Sequence, residues 1–240
     1  ITEFLPISSS GHLVLGQALL GVDSPGNVVE VVTHLGTLLS IIWVFWKDLS
    51  SILISFQNKD TQKYILFLIM GTLPAVIIGL AARDMITDLF DSISMVAGSL
   101  IFTGIILLLT QKLNRKNKQL NLKKGLLIGL TQAFAMIPGI SRSGMTISTG
   151  LALGLSGKDA AKFSFLLAIP VIAGAGLLTV LDTQPGSISI PMLQLLLAFF
   201  SAFIVGTISI KWLLGLLESG KFHRFGYYCI MVGLITYSAI

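Results

Sequence analysis

Apolar runs of about 20 residues, divided by short polar stretches, recur along the whole chain. Six of them, at 28–46, 63–82, 92–110, 160–181, 192–210 and 224–240, approach the length a helix needs to cross a ~30 Å hydrocarbon core. Each is predicted to be a transmembrane helix. Two further apolar regions, 1–20 and 125–155, are interrupted. Pro6 and Ser8-Ser9-Ser10 break the first. Pro138-Gly139 and Arg142 break the second, leaving arms of about 12 residues, or ~18 Å of helix. Such arms reach half way through a bilayer and turn back. Irregular backbone at that depth is tolerated only against protein or a water-filled cavity. The expected fold is therefore an all-α polytopic membrane protein with six transmembrane helices and two re-entrant helix-loop-helix segments.

Composition agrees with this pattern. Of 240 residues, 54% are hydrophobic and 11% charged, with mean hydropathy +0.89. A soluble domain carries about 25% charged residues. The excess of Lys and Arg (16) over Asp and Glu (11) would suggest nucleic acid in a soluble protein. In a membrane chain it reads as topology and lipid headgroups, and no nucleic acid partner is expected. The single cysteine, Cys229, excludes an intramolecular disulfide and lies in an apolar stretch, where packing is its expected role. No signal peptide is visible, and the abrupt start on Ile1-Thr2-Glu3 leads us to expect a further segment ahead of this numbering.

Basic residues set the topology. The segment 112–124 carries Lys112, Arg115, Lys116, Lys118, Lys123 and Lys124 without an acid, which places it in the cytoplasm. Counting spans from there puts Asp84, Asp88, Asp91, Asp23 and Asp182 outside. Lys47, Lys59, Lys63, Lys158, Lys211, Lys221 and Arg224 fall inside. Region 1–20 then enters from the outside and region 125–155 from the cytoplasm, each followed by three spans of opposite orientation. The expected organisation is an inverted repeat: 1–111, a basic linker 112–124, and 125–240. In such repeats broken helices meet near the midplane, with their N-termini presenting N–H groups and partial positive charge to an anion.

The two broken regions share a phrase. Ile7-Ser8-Ser9-Ser10-Gly11 and Ile140-Ser141-Arg142-Ser143-Gly144 are both I-S-x-S-G, each behind a proline and a Thr-acid or Thr-amide pair (Thr2-Glu3; Thr131-Gln132). Arg142 cannot shed its proton and costs ~3 kcal/mol or more at a helix centre, so it calls for an anionic partner or ligand. Gly139, Ser141, Ser143, Gly144 and Thr146 around it describe a phosphate or carboxylate cradle. The structural alternative is an Arg142–Glu3 salt bridge that joins the halves. Ser8, Ser9, Ser10, Gly11 and His12 set hydroxyl nucleophiles beside an imidazole. The alternative there is serines bonded to backbone at a helix break, with His12 joining helices. Glu3 is expensive at this depth unless paired, protonated or metal-bound. Glu30 and His34 share a helix face, and lining the cavity or joining helices are equal readings. His223 is expected in a solvated loop; a helix cap and a snorkelling lysine account for Asp159 and Lys162.

These residues closely resemble the undecaprenyl-diphosphate phosphatase family, the bacitracin-resistance type of integral membrane lipid phosphatase. The resemblance rests on Thr2-Glu3-Phe4-Leu5-Pro6-Ile7-Ser8-Ser9-Ser10-Gly11-His12 and on Pro138-Gly139-Ile140-Ser141-Arg142-Ser143-Gly144-Met145-Thr146, and covers the whole chain. One departure is that the family's first Glu/Gln would lie four residues before Glu3, ahead of Ile1. The resemblance implies cleavage of a C55 isoprenoid diphosphate to the monophosphate and phosphate at the outer face of the bacterial inner membrane. It implies lipid-carrier recycling for peptidoglycan synthesis, with bacitracin resistance as a consequence, and a divalent cation, Mg2+ or Ca2+, as cofactor. Glu3 would bind metal or diphosphate, Ser9 would be the nucleophile and His12 the base or acid. Arg142 would clamp the diphosphate. Ser8, Ser10, Gly11, Gly139, Ser141, Ser143 and Thr146 would complete substrate binding. Water attack with His12 as base is the alternative to Ser9. Expected partners are the polyprenyl diphosphate, membrane lipids and a second copy of the chain in a homodimer. The rival function is a lipid-phosphate flippase, alone or in a dual role. The other large class of lipid phosphatases needs a histidine after a five-residue gap beyond its arginine, where this chain has Ser148.

Overall fold

The computed structural model describes residues 1–20, 28–113, 117–182 and 190–239. Asp23, Arg115 and Lys116 lie outside the described residues, as do the side chains of Glu30 and Asp182, so the expectations placed on them are not addressed below. Among the described residues all regular structure is helical. In chain order the α-helices are α1 (Ser9–Leu20), α2 (Val28–Val44), α3 (Trp46–Ile54), α4 (Lys59–Ala81), α5 (Arg83–Leu89) and α6 (Ile93–Leu109). They continue with α7 (Leu122–Phe134), α8 (Arg142–Ala152), α9 (Gly157–Asp182), α10 (Met192–Glu218) and α11 (Phe225–Ser238).

Among the described residues, four helices are long and apolar enough to cross a membrane: α4, α6 with its following turn, α9 and α10. The pair α2–α3 makes a fifth if taken as one span, bent by 69°. This differs from the six straight spans expected. The apolar run at 224–240 forms a helix of only 14 residues, about 21 Å long. The bend after Val44 has no proline or glycine behind it. Phe45 turns inward and is 6% exposed, packed on Phe165 at 5.7 Å, while Trp43 and Trp46 on either side face outward at 63% and 60%. Burying one ring and leaving its neighbours to an apolar surround turns the backbone there. The stretch 83–91, expected as a connecting loop, contains the short helix α5.

The interrupted regions fold as anticipated at 125–155. Helices α7 and α8, of 13 and 11 residues, form two short arms around Pro138-Gly139. Small residues let the first arm sit deep. A Cβ on Gly129 would strike the backbone of Gly71 in α4, so the two helices touch main chain to main chain. At the N-terminus, Phe4, Leu5 and Ile7 are buried in the main core, and Phe4 meets Phe165 edge-on at 5.7 Å. The two polar motifs thus sit inside the helix bundle, held by its largest buried rings.

Candidate functional site

The two I-S-x-S-G copies build the same local structure. Ser8 Oγ accepts the Gly11 N–H at 3.2 Å, and Ser141 Oγ accepts the Gly144 N–H at 3.1 Å. The Ser8 and Ser10 hydroxyls are 3.3 Å apart, as are those of Ser141 and Ser143. Each leading serine caps a helix, so Ser9 opens α1 and Arg142 opens α8 at equivalent positions. One copy therefore presents a hydroxyl where the other presents a guanidinium. Ser8 adopts φ +65°, a left-handed conformation that costs a non-glycine residue of order 1–3 kcal/mol.

The copies also touch. A Cβ on Gly11 would lie 3.1 Å from Gly139 Cα, and Ser143 Oγ donates to the Leu5 carbonyl at 3.4 Å. Thr103 of α6 secures the second loop: its hydroxyl donates to Gly139 O and accepts from Ser141 N, both at 3.2 Å. Thr146 donates to Arg142 O at 2.8 Å and pairs with Ser164 at 2.6 Å. Ser8, Ser141, Ser143 and Thr146 are all buried, with their hydroxyls engaged in this scaffold. Ser9 and Ser10 keep partial exposure. Cys229 is fully buried, its thiol 3.5 Å from Pro6 O, in line with a packing role.

A cavity of about 500 Å3 opens beside this junction, lined by the polar Thr2, Glu3, Ser9, Thr33, His34 and Thr37 and by apolar residues that include Val29, Phe90 and Val205. Glu3 is its hub. Arg142 Nη2 donates to Glu3 Oε1 at 2.9 Å, and His34 Nε2 lies 3.7 Å from Oε2. Ser9 lines the same cavity as this carboxylate. The salt bridge weighed as a purely structural alternative is therefore present, between side chains each 16% exposed. It does not use the whole guanidinium. Arg142 Nη1 is buried with no hydrogen-bond partner among the described residues. A buried cationic donor left unpaired is costly, and points to an acceptor supplied from elsewhere.

His12 faces another way. Its Nδ1 lies 2.8 Å from the Ser8 carbonyl, which can only accept, so Nδ1 carries a proton. In the neutral ring Nε2 then accepts from the Tyr228 hydroxyl at 2.8 Å, with the two rings stacked 5.7 Å apart. His12 is not among the residues lining the cavity. His34, equally balanced between two readings in the sequence, does line it; the i, i+4 spacing to Glu30 was the only signal. Tyr228, Thr103 and Ser164 were not anticipated. The cap expected of Asp159 is supplied by Ser156, whose hydroxyl accepts the Asp159 N–H at 3.0 Å, and Lys162 forms an ion pair with Asp48 of α3 instead of snorkelling. His223 Nδ1 lies 3.1 Å from Gly220 O in a turn.

The model of one protein family, described as bacitracin resistance protein BacA, matches residues 1–235. The chain belongs to the BacA family. Among its relatives is an undecaprenyl-diphosphatase of Halothermothrix orenii, 40% identical over 239 residues, covering 98% of this chain and 92% of that protein. Another, of Rhodopirellula baltica, is 41% identical over 243 residues with the same coverage, and one of Methanosphaera stadtmanae is 37% identical over 259. Both bear the same name.

The donor set of this BacA chain bears on the expected cation. Among the described residues no three His, Cys, Asp or Glu side chains converge as a metal site. Glu3 offers one carboxylate into a cavity roomy enough for phosphate oxygens and water. That fits a Mg2+-like ion shared with a phosphate ligand, and does not fit a closed protein cage.

Proposed function

We propose that the chain acts as an undecaprenyl-diphosphatase, hydrolysing the C55 isoprenoid diphosphate to undecaprenyl phosphate and inorganic phosphate. It is an enzyme of the membrane, and the lipid diphosphate is its substrate. Full-length similarity to relatives of that name supports the activity, and one local observation carries the site: Arg142 Nη1 is buried without a partner among the described residues, on the guanidinium whose Nη2 holds Glu3. A diphosphate with its two anionic phosphates supplies the acceptor that this donor lacks.

In this reading Arg142 clamps the diphosphate and stabilises charge on the transferring phosphoryl group, where most catalysis of phosphoryl transfer resides. Ser9 attacks the terminal phosphorus and the bond to the lipid monophosphate breaks. Water then releases phosphate from the serine. Glu3 and Ser9 line the same cavity, and Glu3 would orient the Ser9 hydroxyl. Glu3 would also hold a divalent cation, Mg2+ or Ca2+, with the substrate; when bound, the ion supplies charge neutralisation on the leaving phosphate. His12 would serve as acid or base through Nε2 once the Tyr228 hydroxyl yields. Ser10 would donate directly to the phosphates. Ser8, Gly11, Gly139, Ser141, Ser143 and Thr146 would contribute by shaping the two helix N-termini that face the anion.

The same proposal extends to topology. The matching caps of α1 and α8 support a pair of inverted repeats, 1–111 and 125–240, joined by a basic cytoplasmic linker, with α2–α3 and α11 completing six passages. The active site would then open to the outer face, and a homodimer is the proposed assembly. The test is phosphate release from undecaprenyl diphosphate by purified protein, with and without chelator. Movement of lipid across vesicles without phosphate release would instead favour the flippase reading.

A further inference from the structure

Glu3 and Arg142 are locked to each other, yet the diphosphatase reading requires Arg142 for the substrate. A guanidinium engages a phosphate best with two parallel N–H donors, and one N–H of Nη2 is already given to Glu3 Oε1 at 2.9 Å. A diphosphate drawn onto the Nη1–Nη2 edge therefore shares Nη2 with Glu3 and weakens its hold on the carboxylate. Released from Arg142, a carboxylate only 16% exposed would lose its principal partner at membrane depth, which is strongly unfavourable. Among this chain's own side chains, the group already beside that carboxylate is His34.

We propose that His34 is a positioning residue that takes over Glu3 when Arg142 turns to the diphosphate. This rests on the diphosphatase reading above. His34 Nε2 stands 3.7 Å from Glu3 Oε2, on the carboxylate oxygen that Arg142 does not use. A shift of under 1 Å makes that a hydrogen bond. The required group is an N–H at Nε2, which a neutral imidazole provides as well as a charged one. The scaffold fixes the backbone that carries the ring. Thr37 donates to the His34 carbonyl at 2.8 Å, and a Cβ on Gly36, two residues on, would strike Phe199 of α10, so α2 is seated directly on that helix. Ser40 ties the next turn to the Phe203 carbonyl at 2.9 Å. His34 also lines the cavity that holds Ser9 and Glu3. Without His34, Glu3 keeps its grip on Arg142 and the substrate has to break that grip itself.

The test uses the full chain in lipid nanodiscs and measures two things: phosphate release from undecaprenyl diphosphate, and binding of its methylene-bridged, non-hydrolysable diphosphonate. His34→Ala is expected to weaken analogue binding and raise KM by about tenfold or more, the range for losing a hydrogen bond to a charged group. His34→Gln places an amide N–H where Nε2 stands, and should stay within about threefold of wild type. In a Glu3→Gln background, where Arg142 faces no carboxylate, His34→Ala should leave analogue affinity unchanged. Equal thermal midpoints for the two His34 variants set folding aside as the cause. The inference is overturned if His34→Ala binds and turns over as wild type does. It is also overturned if His34→Gln is as impaired as His34→Ala, or if the loss persists undiminished beside Glu3→Gln. A wild-type chain that neither binds the analogue nor releases phosphate defeats the diphosphatase reading, and this inference with it.

Discussion

Arg142 Nη2 and Glu3 Oε1, 139 residues apart in sequence, meet at 2.9 Å inside the helix bundle. Arg142 opens the helix that follows one I-S-x-S-G motif, and Glu3 precedes the other. The pair thus records how the two motifs are brought to one place, and Nη1 of the same guanidinium is buried without a partner among the described residues.

If Ser9 is the nucleophile, rapid acid quench with substrate labelled in the terminal phosphate should trap label on the protein, and Ser9→Ala should abolish it. Label-free protein at full turnover would assign the attack to water.

Tyr228→Phe removes the hydroxyl that occupies His12 Nε2. Loss of one neutral hydrogen bond corresponds to about 2- to 12-fold in kcat/KM if His12 works through that nitrogen. An unchanged kcat/KM would separate His12 from the reaction.

Gly139 has φ +89°, and a Cβ there would lie 2.5 Å from Val96 O and 2.7 Å from Ser99 Cβ. Gly139→Ala should therefore cost about 2 kcal/mol or more and lower the thermal midpoint, with loss of folded yield. Gly16 lies in α1 with nothing within 4 Å of a built Cβ, so Gly16→Ala should be neutral or slightly stabilising. Equal midpoints for the two variants would contradict this account of the loop.

Thr103→Val leaves Gly139 O and Ser141 N without their shared partner. The expected loss is about 1–3 kcal/mol, read as a lower thermal midpoint.

Much of the architecture was legible in the sequence. Proline and arginine inside apolar runs marked the interrupted regions, and the repeated I-S-x-S-G phrase marked the two segments that meet. The bend at Phe45 was not legible, because no breaker stands there; a ring buried against Phe165, 120 residues on, decides it. Nor was Tyr228, which meets His12 across 216 positions. His34 was half legible: helical spacing put it on a face, but only the packing of α2 on α10 determines what that face looks into. Several hydroxyls read as ligands, such as Ser141 and Thr146, hold the backbone instead, a distinction that residue type alone does not make.

The central claim is tested most directly by phosphate release from undecaprenyl diphosphate, comparing wild-type protein with Arg142→Ala in matched nanodiscs. Wild-type protein should release one phosphate per substrate, and the variant should be slower by at least about 100-fold, the scale for removing a preorganised oxyanion donor. Phosphate release by Arg142→Ala at the wild-type rate would contradict the account.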